Sequence, residues 1–235
     1  MGTPLKDWDI QINYGIKTGY NDAFIIDTAK RDEILANCQS EDERKRTAEL
    51  IRPILRGRDI KRYGYNWAGL YLIATFPSRH YDIEQYPAVK EYLLSFGIER
   101  LEQTGKEHNV NGEKIKARKK TCNKWFETQD SISYWEDFSK PKMLWKRVGS
   151  ILRFCYNDNE TLGLDSTCFA TGENIEFICC VLNSPMGHYL LKDAPKTGTG
   201  DLLVSVQAIE PIQIPQVGLE TNSEFKKLLE SLIKT

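Results

Sequence analysis

A polar turn flanked by two glycines precedes an apolar run in the segment Asn13-Tyr14-Gly15-Ile16-Lys17-Thr18-Gly19-Tyr20-Asn21-Asp22-Ala23-Phe24-Ile25-Ile26-Asp27. Glycine adopts backbone conformations that other residues avoid, so Gly15 and Gly19 predict a tight, exposed turn. The apolar residues 23–26 predict a strand directly after it. The turn also carries three side chains that donate or accept hydrogen bonds: Lys17, Thr18 and Asn21. Taken alone, the segment fits an ordinary polar turn before a strand, and the motifs that follow give it a second interpretation.

A series of further motifs follows along the chain. The longest is Leu50-Ile51-Arg52-Pro53-Ile54-Leu55-Arg56-Gly57-Arg58-Asp59-Ile60-Lys61-Arg62-Tyr63. Three short motifs come next: Tyr86-Pro87-Ala88, Trp125-Phe126-Glu127 and Lys140-Pro141-Lys142. The series ends with Leu182-Asn183-Ser184, Gly198-Thr199-Gly200 and the run from Ile209 to Pro215. Each motif is short, so their order and spacing carry more information than any one of them.

In this order the motifs resemble the TaqI-like target-recognition domain of adenine-specific DNA methyltransferases and of fused restriction-modification enzymes. Residues 15–27 match its opening pattern, Gly-Ile-x-Thr-Gly-x-Asn-x-Ala-Phe-x-Ile-Asp. Residues 50–63 match its second pattern, Leu-Ile-x-Pro-x-Leu-x-Gly-x-Asp-Ile-x-x-Tyr. The chain departs from the family at Phe126, where tyrosine is more usual, and its last motifs are similar to specificity subunits of restriction systems. The resemblance covers residues 10–216.

The resemblance implies a sequence-reading DNA-binding domain that has no catalytic activity and no cofactor of its own. In the family, this domain holds double-stranded DNA across a cleft from a methyltransferase domain of the same polypeptide, which flips an adenine out and methylates it. We therefore expect the parent protein to be an adenine-specific DNA methyltransferase that uses S-adenosylmethionine. Endonuclease activity and a magnesium requirement of the parent are left open.

The predicted DNA contacts are basic and polar side chains within or beside these motifs. Lysine and arginine bind phosphates, arginine also grips guanine with two hydrogen bonds, and asparagine does the same for adenine. Arg56-Gly57-Arg58 presents two guanidinium groups on either side of a flexible residue. The full predicted set is Lys17, Thr18, Asn21, Arg56, Arg58, Lys61, Arg62, Lys146, Arg147, Lys196 and Thr197.

The distribution of charge supports this prediction better than the net charge, which is −1. Residues 44–62 contain eight lysines and arginines against two acidic residues, and residues 106–124 contain seven against two. Clustered basic residues are typical of surfaces that bind nucleic acid. The alternative is that both runs are solvated faces with no ligand.

Motifs for other kinds of site are missing from the sequence. It contains no Asn-Pro-Pro-aromatic loop of the kind that grips a flipped base, no Cys-x-x-Cys pair, and no metal-ligand spacing among its three histidines. We therefore predict neither catalytic nor metal-binding residues. The six cysteines are expected to be reduced thiols of a cytoplasmic protein, with Cys179 and Cys180 in an apolar core. No apolar run reaches 18 residues, so no membrane partner is expected.

The sequence predicts an α+β fold with a mixed, mainly antiparallel sheet and packed helices. A capping box at Ser40–Glu43 predicts a helix to about Leu50, and Pro87 starts another. We expect a linker at residues 1–9, a target-recognition domain at 10–216 and an amphipathic helix at 217–235. Within the domain, residues 106–124 are expected to form an exposed basic loop or hairpin, because Asn111-Gly112 is a strong turn signal.

A protein-docking module in a phage-defence or DNA-repair complex is the alternative function. Aromatic side chains anchor many protein interfaces. The candidates for such anchors are Tyr63, Tyr65, Trp67 and Trp135. The dependence of affinity on salt concentration distinguishes the two functions. Binding through phosphates weakens steeply as salt concentration rises, whereas binding through aromatic contacts does not.

Overall fold

The structure is a computed structural model, and it describes residues 2–233. The strands are β1 (Thr3–Pro4), β2 (Ile10–Tyr14), β3 (Ile25–Asp27), β4 (Ile51–Leu55), β5 (Leu70–Ile73), β6 (Glu107–Val110), β7 (Glu113–Lys116), β8 (Lys142–Lys146), β9 (Val148–Gly149), β10 (Phe154–Asn157), β11 (Leu162–Gly163), β12 (Thr167–Gly172), β13 (Leu202–Leu203) and β14 (Gln213–Ile214). The α-helices are α1 (Asn21–Phe24), α2 (Thr28–Ala36), α3 (Glu41–Leu50), α4 (Pro87–Leu94), α5 (Ile98–Leu101), α6 (Ile175–Leu182), α7 (Pro185–Leu190), α8 (Val206–Ile209) and α9 (Leu219–Ile233). Short 3-10 helices occupy Leu5–Asp7, Gly57–Asp59, Pro77–Arg79, Ile83–Gln85 and Trp135–Ser139. This mixture, with antiparallel strand pairing, confirms the predicted α+β class.

The chain divides into two units that alternate along the sequence. The first unit contains the residues up to Gly15, Leu55–Ala68 and the residues from Tyr134 onward. The second unit contains Ile16–Ile54 and Gly69–Ser133. The range 10–216, predicted as one recognition domain, therefore includes parts of both units.

The first unit is built on an antiparallel sheet with the strand order β10-β8-β12-β2. Trp145 on the central strand β8 lies opposite Phe154 on one side and Cys168 on the other. Apolar side chains occupy α6 almost throughout, and the helix is buried against this sheet, with Cys179 and Cys180 in the core as predicted. Burial of this apolar surface is the main force that stabilises the unit.

The last helix packs on α6 through part of its apolar stripe. Leu229 is fully buried, and the ring of Phe225 contacts the ring of Phe177 with 5.0 Å between centroids. Leu228, Leu232 and Ile233 of the same helix stay substantially exposed. The predicted helix is present as Leu219–Ile233, and residues 234 and 235 lie outside the described residues.

The second unit contains the antiparallel strands β4, β5 and β3, with β5 in the middle. Helix α3 begins where the capping box predicts, because the Ser40 hydroxyl accepts a hydrogen bond from the Glu43 N–H. The Glu43 side chain is buried, and its carboxylate accepts a hydrogen bond from the Ala88 N–H at the start of α4. Pro87 is the first residue of that helix, as predicted.

Two local predictions in the second unit require correction. Residues 23 and 24 close the helical turn α1 rather than opening a strand, which begins only at Ile25. The reason is local hydrogen bonding, since the Thr18 hydroxyl accepts from the Tyr20 N–H and donates to Asn21 Oδ1. In the basic segment 106–124, β6 and β7 form a hairpin with Asn111 and Gly112 at positive φ, but Arg118 beyond it is buried rather than exposed.

Candidate nucleic-acid interface

The segment 56–65 of the first unit is a short turn whose conformation is held by Asp59. Asp59 is only 5% exposed, and its carboxylate accepts hydrogen bonds from the Arg56 N–H and from the Arg56 guanidinium. Burial opposes ionisation of Asp59, but the hydrogen bonds and charge of Arg56 outweigh it and lower the pKa of the carboxyl group. Arg56, a predicted DNA contact, therefore has its guanidinium engaged within the protein.

Gly57 lets this turn approach the end of β8 closely. A Cβ atom at Gly57 would lie 2.8 Å from Lys146 Cγ and 2.9 Å from the Ser166 carbonyl oxygen. The Gly57 N–H also donates to the Ser166 hydroxyl at 2.9 Å. Any other residue would force these neighbours apart. Glycine at position 57 is therefore required for the close contact between the Arg56–Arg58 turn and Lys146 at the end of β8.

Arg58 and Lys146 line one pocket of about 240 Å³ together with Arg153. The remaining lining residues are Gly57, Ile60, Gly149, Ser150 and Ile151. The Lys146 stem also runs past Gly149, because a Cβ there would lie 3.5 Å from both Lys146 Cδ and Nζ. We name this site the basic pocket. Its three charged residues are all cations, an arrangement suited to phosphate oxygens and to the acceptor atoms of guanine.

Arg62 lies at a neighbouring pocket of about 390 Å³, which also includes Arg153 and Ile151. The Arg62 guanidinium donates to the Asn183 carbonyl oxygen at 2.6 Å and lies over the Tyr63 ring. Asn183 is itself buried and bonds both the N–H and the carbonyl of Phe154. The Leu182-Asn183-Ser184 motif thus anchors the Arg62 region to strand β10.

A small antiparallel ladder brings the segment of Arg147 next to the segment of Lys196 and Thr197. Strands β9 and β13 pair, and the Val204 N–H donates to the Arg147 carbonyl oxygen at 2.8 Å. Lys196 is exposed at the start of the turn that precedes β13, whereas Arg147 and Thr197 are half-buried. Lys61 is half-buried as well, and its ammonium group lies 3.5 Å from the Arg58 carbonyl oxygen.

The three remaining predicted contacts, Lys17, Thr18 and Asn21, belong to the second unit. Lys17 and Asn21 are exposed, but Thr18 is only 1% exposed and its hydroxyl bonds within the turn. In this conformation the Thr18 side chain is not accessible to DNA. Its function in the structure is to shape the turn that presents the other two side chains.

Arg118 supports the same turn from beneath. Arg118 is 4% exposed, and its guanidinium lies over the Phe24 ring. It donates hydrogen bonds to the carbonyl oxygens of Leu101, Thr18, Glu127 and Trp125. Burial lowers the pKa of Arg118 to about 10, because desolvation disfavours the charged form. The exposed basic segment predicted at 106–124 includes Arg118. The contact of Arg118 with Thr18 spans 100 residues, so no local sequence pattern indicates it.

Two further side chains at the basic pocket were absent from the predicted set: Arg153 and Ile151. Arg153 lies outside every motif that carries the resemblance, so no motif marks it as a DNA contact. The aromatic candidates for a docking surface are less prominent. Tyr63, Tyr65 and Trp135 are half-buried, while Trp67 is 40% exposed.

The described part of the chain, residues 2–233, has neither a metal-ligating cluster nor a membrane-spanning helix. No group of three or more His, Cys, Asp or Glu side chains in this range is arranged to hold a metal ion. None of the helices in the same range has the length and apolar character needed to cross a lipid bilayer.

Comparison with known proteins places this arrangement in context. The family model for TaqI-like C-terminal specificity domains matches residues 52–210. The type IIL restriction-modification enzyme MmeI, solved in complex with DNA, aligns over 99% of this chain and 28% of its own, with a TM-score of 0.59 and 11% identity. The type IIG restriction endonuclease BpuSI aligns over 97% of this chain and 26% of its own, with a TM-score of 0.51 and 12% identity. At these identities the similarity concerns the fold, and this chain spans about a quarter of either enzyme. No curated protein matches the sequence.

Proposed function

We propose that this chain, which belongs to the family of TaqI-like C-terminal specificity domains, recognises a short sequence in double-stranded DNA. The observation that carries the proposal is the basic pocket, where the Arg56–Asp59 turn and the end of β8 bring Arg58, Lys146 and Arg153 together. Cations bind the phosphates and fix the register of the duplex, while a guanidinium at the base edges selects guanine.

In this proposal a separate domain catalyses the methyl transfer. An adenine-specific methyltransferase domain of the same polypeptide flips the target adenine and methylates it with S-adenosylmethionine, while this chain holds the duplex. Support comes from the family match and from the resemblance of the motifs in residues 10–216. The chain alone is then expected to transfer no methyl group from labelled S-adenosylmethionine and to nick no plasmid with magnesium. Reproducible incorporation or nicking that survives stringent purification contradicts this division of work.

Salt dependence tests the DNA-binding step directly. If about five phosphates are neutralised, the logarithm of the binding constant falls with the logarithm of salt concentration at a slope near −4 to −5. A filter-binding titration of the 235-residue chain with a duplex library at several salt concentrations gives this slope. A slope near zero, or no binding at low salt, rejects direct DNA recognition and favours a docking function.

A pair of double variants assigns the binding to the basic pocket. Arg58→Ala with Lys146→Ala removes two cations from the pocket. This double variant is expected to reduce the magnitude of the salt slope by about two. The matched control, Lys226→Ala with Lys227→Ala, removes two exposed cations from α9 and leaves net charge equal between the two proteins. The control is expected to bind like wild type. Equal losses in both double variants attribute the binding to net charge rather than to the pocket.

A further inference from the structure

Ile151 exposes most of its apolar side chain to solvent. It lies between β9 and β10, directly after Gly149 and Ser150, and 60% of its surface is accessible. Single exposed apolar residues are common on proteins and need no explanation by themselves. What distinguishes Ile151 is its surroundings rather than its exposure.

The side chain of Ile151 stands among cations. It contributes to the basic pocket with Arg58, Lys146 and Arg153, and it also contributes to the neighbouring pocket with Arg62. A polyanion drawn to these cations therefore covers Ile151. Because no phosphate oxygen gains from contact with an isoleucine, the favourable partner must be an apolar group carried by the same polyanion.

Duplex DNA presents one apolar group on the edge of its bases, the C5-methyl group of thymine in the major groove. The atoms that a guanidinium recognises on guanine lie in the same groove. We propose that Ile151 contacts a thymine methyl group beside the base pair or phosphate held by Arg58, and so makes this chain select thymine at one position. The inference rests on the proposed function and adds a specificity-determining residue to it.

Replacing thymine by uracil tests this contact because it removes only the methyl group. A selection from randomised duplexes with the 235-residue chain gives the preferred sequence. Each thymidine of that sequence is then replaced in turn by deoxyuridine, and affinity is measured for wild type, Ile151→Ala and Arg58→Ala. One thymidine is expected to matter, with about a fourfold loss in wild type, the effect of one methyl group removed from water.

The variants assign that loss to Ile151. Ile151→Ala is expected to bind the thymine and uracil duplexes equally, whereas Arg58→Ala binds both more weakly but keeps the fourfold ratio. Ile98→Ala is the matched control, since Ile98 is 41% exposed at the start of α5 in the second unit. This control is expected to keep the wild-type affinity and ratio.

Several outcomes overturn the inference. They are a preferred sequence without thymine, no uracil effect at any position, or a uracil effect that persists in Ile151→Ala. A rise in 2-aminopurine fluorescence on binding, lost in Ile151→Ala without a uracil effect, instead makes Ile151 a wedge between base pairs. Salt-dependent binding without a uracil effect refutes only this inference. Absence of duplex binding at low salt refutes the proposed function as well.

Discussion

The Asp59 carboxylate holds the Arg56 guanidinium through two hydrogen bonds, 3.0 Å from Nε to Oδ2 and 2.8 Å from Nη2 to Oδ1. The two arginines of Arg56-Gly57-Arg58 therefore differ in what they do. Arg56 closes the turn onto a buried carboxylate, and Arg58 lines the basic pocket. Variants of the two residues are expected to separate stability from DNA binding.

Arg56→Ala is expected to destabilise the protein by about 1–3 kcal/mol, because it leaves the buried Asp59 carboxylate without its charged partner. Chemical denaturation followed by circular dichroism measures the change. Arg58→Ala is the matched control, since it removes an arginine from the same turn at an exposed position. An Arg56→Ala protein as stable as wild type contradicts a structural function of the ion pair.

The contribution of Asp59 to stability depends on pH. Its pKa is lowered in the folded protein from an ordinary value of 3.8. The stabilisation is therefore complete above about pH 4, and it is lost as pH falls through the lower pKa of the folded state. Asp59→Asn lacks this dependence. Denaturation midpoints at stepwise pH are expected to show a gap between wild type and variant that closes on acidification, and a gap that is constant with pH argues against the ion pair as its source.

Gly57→Ala is expected to disturb the basic pocket, since the new Cβ would contact Lys146 and Ser166 below 3 Å. Steric insertion of this kind costs about 1–3 kcal/mol, and here it also displaces Lys146 from its place beside Arg58. Gly218→Ala is the control, because nothing lies within 4 Å of a Cβ at that glycine. Thermal melts and duplex titrations of both variants should show loss in Gly57→Ala alone; equal behaviour of the two refutes the close contact.

Arg118→Met is expected to lower the free energy of unfolding by about 3 kcal/mol or more, because the buried carbonyl oxygens that Arg118 satisfies lose their donor. Methionine keeps much of the side-chain volume, so the loss reports on hydrogen bonds rather than on a cavity. Lys119→Met, one residue further at an exposed position, is the control and should stay near wild type. Denaturation of the two variants under the same conditions provides the measurement.

Local sequence signals predicted many of the elements, because their causes are local. The Ser40 cap, the proline at the start of α4 and the Asn111-Gly112 turn each act within a few residues, and each appears at its predicted place. The Arg56–Asp59 pair is also local, because oppositely charged side chains three residues apart can meet within one turn. The motif instead led to the prediction that Arg56 and Arg58 both contact DNA, and the pairing of Arg56 with Asp59 was not predicted.

The rest of the site depends on contacts between distant segments. Arg118 is buried where carbonyl groups from several segments converge on it. Only glycine fits at position 57, because Lys146 and Ser166 lie against it. Ile151 is a candidate contact only because distant cations surround it. The alternation of the two units along the chain arises in the same way, from pairing between remote strands. No periodicity or motif in one segment encodes these relations.

Substitution of Arg58 distinguishes a contact with a base edge from a contact with a phosphate. It is exposed, and it shares the basic pocket with Lys146 and Arg153. If it grips a base edge, Arg58→Ala costs about 1–3 kcal/mol on the preferred duplex and relaxes preference at one base pair. If it binds phosphate, all duplexes weaken equally and the salt slope falls by about one.

We expect base reading, because Lys146 and Arg153 already supply phosphate-binding cations in the same pocket while the planar guanidinium of Arg58 matches the two acceptors of guanine. Competition binding over single-base variants of the preferred duplex, with a thermal melt in parallel, distinguishes the outcomes. Lys226→Ala, which removes an exposed lysine on α9 outside both basic runs, controls for loss of charge. An Arg58→Ala protein with unchanged sequence profile, salt slope and melt removes Arg58 from the interface.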